Sequence, residues 1–349
     1  MKQISIHEFF AWRTHLPVVD VRSPGEYQQG HIPGSHNVPL FDDSERARVG
    51  IAYKRQGRHE AIKEGLKIVG PKMADLVMAA ESIAIGQKLI LHCWRGGMRS
   101  ENMAWLFSRV GIESYMLSGG YKSYRNYCRK QFHISIPLIL LGGYTGSGKT
   151  EILQRLEEQG EQCIDLEKIA SHKGSVFGSL GQHQQLPNEH FENLLFEKWI
   201  VLDPARPVWM EDESKMIGKN CIPDELYHKM RLAPVITLEV SQEKRLRRLV
   251  DEYACYDRQQ LKDAILKIHK RLGGKNTQDA LEALDKNDFY TAARITLRYY
   301  DKAYQHGLNK RDHSDIHILS GEAQDVGKII PAMLEKSREL LYDKANMKT

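Results

Sequence analysis

The chain has few cysteines and no pairing pattern among them. Its 349 residues contain five, at positions 93, 128, 163, 221 and 255, with no CxxC pair and no His/Cys ligand spacing. That scatter excludes a disulfide framework and a structural zinc site, and it suits a reducing compartment in which a thiol stays available for chemistry. No apolar run is long enough to cross a bilayer, and the first residues, Met1 to Glu8, lack the pattern of a signal peptide. The expectation is a cytoplasmic protein with no membrane contact. Repeats and low-complexity linkers are absent as well, so the two domains are expected to pack closely.

What is there is an ordinary globular composition, 41% hydrophobic and 27% charged. The length allows two domains with their own cores. The net charge of +5 is unevenly spread: residues 1–135 hold 19 Lys and Arg against 12 Asp and Glu, while the remainder is slightly acidic. A basic first domain favours a polyanionic partner, although a solvated basic face gives the same count.

Strand and helix patterns alternate through the chain, and we expect an α/β protein of two domains. In residues 1–133, Val18–Val21, His36–Leu40, Lys88–His92 and Tyr115–Leu117 read as strands, and Lys72–Ala84, Met98–Val110 and Tyr121–Phe132 as helices. That order implies a doubly wound, mostly parallel sheet. In residues 134–349, apolar strands at Ile136–Leu141, Val208–Met210, Val235–Val240 and His317–Leu319 alternate with helices, and two long charged helical stretches run from Gln242 to Leu272 and from Thr277 to Gln305. This second domain is expected to be a parallel sheet with helical additions.

Two motifs carry chemistry. The first is Cys93-Trp94-Arg95-Gly96-Gly97-Met98-Arg99-Ser100, directly after the strand Lys88–His92. A thiol is a nucleophile as its thiolate, and a tight loop of inward N–H groups at a helix start stabilises that anion. Gly96 and Gly97 are expected to let the backbone curl through positive φ, and Arg95 and Arg99 to complete an anion pocket around catalytic Cys93. Such a pocket would also hold a persulfide or perselenide. The other four cysteines read as structural.

The second motif is Gly143-Tyr144-Thr145-Gly146-Ser147-Gly148-Lys149-Thr150, between an apolar strand and a helix. This is the context of a P-loop: amides of Gly143, Gly146 and Gly148 surround phosphate oxygens, Lys149 neutralises them, and Thr150 meets Mg²⁺. Asp212 or Glu211, at the end of Val208–Met210, is the expected second Mg²⁺ residue, with a solvated acidic turn as the other reading of these acids. Asp165 and the segment containing His172, Gly174 and Ser175 lie where small P-loop kinases place acceptor residues, and read as a substrate loop or as a plain surface loop. A nucleoside triphosphate is the default ligand, but the motif does not choose among phosphate compounds.

The stretches Val19-Asp20-Val21-Arg22-Ser23-Pro24-Gly25-Glu26-Tyr27 and Gly30-His31-Ile32-Pro33-Gly34, with the Cys93 loop and Gly119-Gly120-Tyr121, resemble rhodanese-like domains. That resemblance implies that Asp20 and Arg22 order the fold. Adding the P-loop, Asp165-Leu166-Glu167 to Gly178, Glu211-Asp212-Glu213-Ser214-x2-Ile217-Gly218 and the spacer Tyr53-Lys54 to Gly70-Pro71-Lys72, the chain resembles the tRNA 2-selenouridine synthase family. The resemblance implies a transferase that replaces sulfur by selenium in wobble 2-thiouridine of tRNA. It also implies an S-geranyl intermediate, with geranyl diphosphate and selenophosphate as co-substrates, an enzyme supplying selenophosphate, and no tightly bound cofactor.

Two other readings stay open on the residues. One is an ATP-dependent tRNA sulfurtransferase, which needs nucleotide turnover. The other is a small-molecule kinase whose rhodanese-like module is not catalytic. Candidate tRNA contacts are Lys244, Arg245, Arg247 and Arg248, His269-Lys270-Arg271, and the mixed stretch Tyr121, Tyr124, Arg125, Tyr127, Arg129 and Lys130, each of which also reads as a solvated helix face. Phe177, Phe191, Leu195, Phe196 and Trp199 read as core residues or as the lining of a prenyl pocket.

Overall fold

The computed structural model describes residues 2–320 and 326–346. The chain divides into two compact units, Met1–Gln131 with Pro187–Glu197, and Phe132–Leu186 with Lys198–Thr349. No helix among the described residues is long and apolar enough to cross a membrane.

The first unit runs β1 (Lys2–Ile4), α1 (Ile6–Trp12), β2 (Val18–Asp20), α2 (Pro24–Gln29), β3 (His36–Asn37), α3 (Asp43–Gln56), α4 (Arg58–Val69), α5 (Met73–Ile83), β4 (Lys88–His92), α6 (Met98–Ser108), β5 (Glu113–Leu117) and α7 (Gly120–Gln131). Its sheet has the order β1-β5-β4-β2-β3 with every pair parallel. Central β4 carries Leu89, Ile90 and Leu91 fully buried, because helices cover both faces of a parallel sheet. Helix starts are set by local chemistry: Ser5 with Glu8, Ser23 with Glu26 and Asp42 with Glu45 form reciprocal caps on α1, α2 and α3. The strand β1 and the paired helices α3 and α4 are additions to the elements read from the sequence. Only three residues long, β1 is a strand because it pairs with β5.

The chain continues with β6 (Leu138–Gly143), α8 (Lys149–Glu158), β7 (Gln162–Ile164), α9 (Leu166–Ala170), α10 (Asn188–Trp199), β8 (Val208–Glu211), β9 (Met216–Ile217), β10 (Asn220–Cys221), α11 (Asp224–Leu232), β11 (Val235–Glu239), α12 (Gln242–Tyr253), α13 (Arg258–Lys267), α14 (His269–Leu272), α15 (Gly274–Asp285), α16 (Phe289–Leu308), β12 (Ile316–Ser320) and α17 (Val326–Asn346), all but α10 in the second unit. Its main sheet is parallel in the order β12-β11-β6-β8-β7, so β6, which feeds the P-loop, lies at the centre. The antiparallel pair β9–β10 stands apart from it. Ile139, Leu141, Trp209, Ile236 and Leu238 build the core of this sheet. A separate core forms among α13, α14, α15 and α16 from Leu261, Ile265, Ile268, Leu272, Ala280, Leu284 and Ala292. Each of the two long helical stretches expected there is interrupted, the first where Tyr253 gives way to Asp257, which caps α13, and the second where Asn287 takes φ +58° and Asp288 caps α16.

Most of α10 belongs to the first unit. Asn193 donates to the Tyr121 hydroxyl at 2.7 Å, Arg125 donates to Asn193 Oδ1 at 2.7 Å and also pairs with Glu192, and Arg13 makes a two-pronged pair with Glu197 at 2.7 and 2.8 Å. These contacts correct part of the expected tRNA surface. Tyr121 and Tyr124 are fully buried and Arg125 nearly so, whereas Arg129 and Lys130 remain exposed.

Candidate functional sites

In the first unit Cys93 leaves the end of β4 and the chain turns through Gly96 into α6. Gly96 sits at φ +69°, and a Cβ there would lie 2.9 Å from the Leu117 carbonyl oxygen, so only glycine fits. Gly97 differs from the expectation. Its φ is −111°, an extended conformation open to other residues, and it stands at the N-cap of α6. The tight curl rests on Gly96 and on Gly120, at φ +59°, which packs against the Cys93 carbonyl.

Cys93 is 4% exposed, and its sulfur lies 3.3 Å from Ser100 Oγ and 3.9 Å from the Gly97 carbonyl oxygen. Burial pushes the thiol up, but the Ser100 hydroxyl and the N–H groups of Ser100, Gly97 and Arg95 more than offset it, leaving Cys93 below the ordinary cysteine range. Cys163, by contrast, is pushed up to about 12 by burial, and burial raises Cys128 as well. Cys93 is therefore equipped to ionise where these two are not.

The arginines of the loop have different positions. Arg99 donates to Glu26 at 2.6 and 3.3 Å, so its fork is already engaged. Arg95 is exposed. Ser100, expected only near the helix start, is the side chain that touches the sulfur. Below the loop Arg22 grips Asp20 through bonds of 2.6 to 3.0 Å, donates to the Gly30 carbonyl at 2.8 Å, and lies 3.9 Å from the Tyr121 ring centre. Both Asp20 and Arg22 are fully buried, and they link β2 to the α2 turn.

In the second unit the P-loop joins β6 to α8. Gly143, Gly146 and Gly148 take φ of +145°, +81° and +85°, and a Cβ on Gly143 would approach Ser147 Oγ to 2.6 Å. Lys149 donates to the Gly143 carbonyl at 2.9 Å, and the Gly143 N–H donates to the Tyr304 hydroxyl at 2.8 Å. The loop opens into a cleft of about 740 Å³ that Asp165, Glu167, Gly174, Ser175, Asp212 and Glu213 also line.

Of the expected substrate loop, Asp165, Gly174 and Ser175 reach this cleft, and His172 does not. Gly174, at φ +67°, fits because a Cβ would collide with Glu167 and Glu213, at 2.8 and 3.1 Å from their carboxylate oxygens. Burial and then Glu213 push the Glu167 carboxyl up to about 8, and burial with neighbouring acids also raises Glu211, Asp165 and Glu213. Of these acids the sequence points to Asp165 and Glu167 in the substrate-loop stretch and to Glu211 as an alternative to Asp212 for the metal, and gives no role to Glu213. The Glu211-Asp212-Glu213 run is a signal, but it looks the same as a solvated acidic turn.

Among the described residues no group of three His, Cys, Asp or Glu side chains is placed to hold a metal ion, so Thr150 and Asp212 are the residues that could contribute to a magnesium site. Thr150 and Asp212 offer hard oxygens to the same cleft, and the crowded carboxyl groups are an environment that a cation relieves. Asp212 is not isolated, since its Oδ1 accepts from Arg311 at 2.5 Å. Arg245 corrects the second expected tRNA cluster. It is 4% exposed and binds Asp301, while Arg248 lines the cleft and pairs with Glu151 at 3.2 Å. Arg247 alone of the three arginines projects outward, with its side chain 73% exposed.

Comparison with known proteins covers nearly all of this architecture. Residues 11–127 match the rhodanese-like domain, and residues 136–337 match the model described as the tRNA 2-selenouridine synthase AAA domain. A tRNA 2-selenouridine synthase of Shewanella denitrificans is 32% identical over 88% of this chain and 94% of its own. Proteins of the same description from Bdellovibrio bacteriovorus and Bordetella petrii are 31% and 32% identical, over 86% and 89% of this chain and 91% of each of theirs.

Proposed function

Because this chain belongs to the tRNA 2-selenouridine synthase family, we propose that it replaces the sulfur of wobble 2-thiouridine in tRNA by selenium, in two steps served by its two sites. The observation that carries this reading is the presence, in one chain, of a thiol held below the ordinary cysteine range and a glycine-built phosphate cradle.

In the first step the thiouridine sulfur attacks the first carbon of geranyl diphosphate. The C–S bond forms as the C–O bond breaks, diphosphate leaves with the electron pair, and the base gives up its N3 proton to water. Amides of the P-loop and Lys149 are the groups that would stabilise that leaving charge. Thr150 and Asp212 would hold Mg²⁺, which when bound supplies further neutralisation of the diphosphate.

In the second step the S-alkylated carbon of the base is electrophilic, and its sulfur has become a leaving group. The Cys93 thiolate attacks that carbon and expels geranyl thiolate, which takes a proton. Selenium of selenophosphate then attacks the same carbon, and Cys93 departs. Water cleaves the remaining P–Se bond and releases phosphate. Each exchange is a substitution without change of oxidation state. A Cys93 perselenide formed from selenophosphate would require an oxidant, so we assign Cys93 the nucleophilic role. Selenophosphate would come from a separate enzyme.

The test is mass spectrometry of 2-thiouridine tRNA incubated with the protein and geranyl diphosphate, with and without selenophosphate, in the absence of ATP. A geranyl adduct that converts to selenouridine is the expected result. Conversion that occurs only with ATP, accompanied by nucleotide hydrolysis, would replace this reading with a nucleotide-dependent sulfurtransferase.

A further inference from the structure

Beside the phosphate cleft lies a second cavity, lined wholly by uncharged residues and walled by α12, α13, α15 and α16. Its interior is formed by Phe177, Leu261, Ile265, Leu284, Ala293 and Leu297. Thr145, Ser175, Leu249, Tyr253 and Tyr300 line both the cleft and the cavity, so the two spaces meet at the P-loop itself.

The polar atoms at this junction are already engaged. The Val176 N–H donates to the Tyr300 hydroxyl at 2.9 Å, the Phe177 N–H donates to Ser175 Oγ at 3.2 Å, and Thr296 Oγ1 donates back to the helix at 3.0 Å. The cavity therefore gives water little to bond to, and an apolar group entering it loses no hydrogen bond.

We propose that this cavity holds the far end of the hydrocarbon chain of a prenyl diphosphate whose diphosphate lies in the P-loop cleft. The assignment rests on the proposed function, and adds to it the residues that select the tail. Contiguity carries it: an apolar hole opening onto a phosphate cradle matches a molecule with an anionic head and an apolar tail. Its size is informative too. The cavity measures about 50 Å³ on a scale in which one water takes roughly 10–15 Å³, room for about three to five small groups, at most one isoprene unit. The unit nearer the diphosphate then lies in the wider cleft, beside Tyr253 and Tyr300. Phe177 is the one aromatic of the sequence-derived prenyl set that lines this space. Phe191, Leu195, Phe196 and Trp199 are buried elsewhere as core residues.

The experiment is calorimetric titration of the full chain with inorganic diphosphate, dimethylallyl diphosphate, geranyl diphosphate and farnesyl diphosphate. Geranyl diphosphate should bind about a hundredfold tighter than inorganic diphosphate, with farnesyl diphosphate no tighter than geranyl. Ala293→Phe, which fills the cavity, should bring geranyl diphosphate to within about threefold of inorganic diphosphate and leave the latter unchanged; Ala254→Phe is the second filling variant. Equal binding of the geranyl and inorganic compounds by the unaltered chain overturns the cavity assignment while leaving the phosphate cradle intact. Absence of inorganic diphosphate binding, together with tRNA that geranyl diphosphate does not modify, overturns the proposed function instead.

Discussion

Arg245 and Asp301 face each other through two parallel bonds of 2.8 Å, and the same guanidinium gives a further bond of 3.2 Å to the Thr145 carbonyl. The pair ties α12 and α16 to the P-loop and holds the loop from outside. Only an arginine fork makes all three bonds at once. Arg245→Ala leaves Asp301 without its partner in a mostly buried setting and should cost about 2–4 kcal/mol. Denaturant unfolding followed by a probe in the second unit measures this cost. Diphosphate affinity should fall with it, and an unchanged affinity would show that the loop keeps its shape without the brace.

Cys93 depends on Ser100 in a way that pH reveals. The folded thiol lies below its ordinary range, so the thiolate persists as pH falls below ~8.5 and is lost only as pH passes down through the lowered value. Its contribution to stability follows the same sign, present above the unfolded pKa and lost on acidification through the folded one. Ser100→Ala removes the hydroxyl and should move the pH profile of Cys93 alkylation upward. A profile that stays in place would assign the effect to the backbone N–H groups alone.

Lys149→Ala should reduce geranylation by at least about a hundredfold, because it removes the side-chain charge that meets the leaving diphosphate. Selenation of tRNA that already carries the geranyl group should continue. The reverse pattern, geranylation intact and selenation lost, would assign selenophosphate to the P-loop. Cys93→Ala should show the complementary result, with geranyl-tRNA accumulating in the presence of selenophosphate.

Arg247, outward-facing on α12 and paired with Glu243 at 3.0 Å, tests the tRNA surface without disturbing the cleft. If it meets a phosphate, Arg247→Glu weakens tRNA binding similarly across sequences and lowers the salt slope by about one. Filter binding over a salt series distinguishes this from an unchanged slope, which would remove α12 from the interface. Arg248→Glu is a different experiment, since Arg248 lines the phosphate cleft.

The Cys93 loop and the P-loop were legible in the residues because each is a local unit. In both a buried strand, a glycine turn and a helix start follow one another along the chain, and the chemistry needs nothing distant to be recognisable. The parallel character of the sheets could be read for the same reason, from apolar runs spaced by helices, whereas the order of the strands came only from the fold. Other features depended on residues far apart in sequence, and only tertiary structure decided them. Glu26 engages Arg99 across 73 residues, Asp301 turns Arg245 inward across 56, and Asn193 reaches Tyr121 across 72. A charge reads the same in sequence whether it meets solvent, a partner carboxylate or a phosphate, so the expected tRNA contacts at Tyr121, Tyr124, Arg125 and Arg245 proved to be buried. The cavity beside the P-loop lay beyond sequence for a related reason: residues lining a space and residues filling a core have the same apolar pattern, and only their packing separates the two.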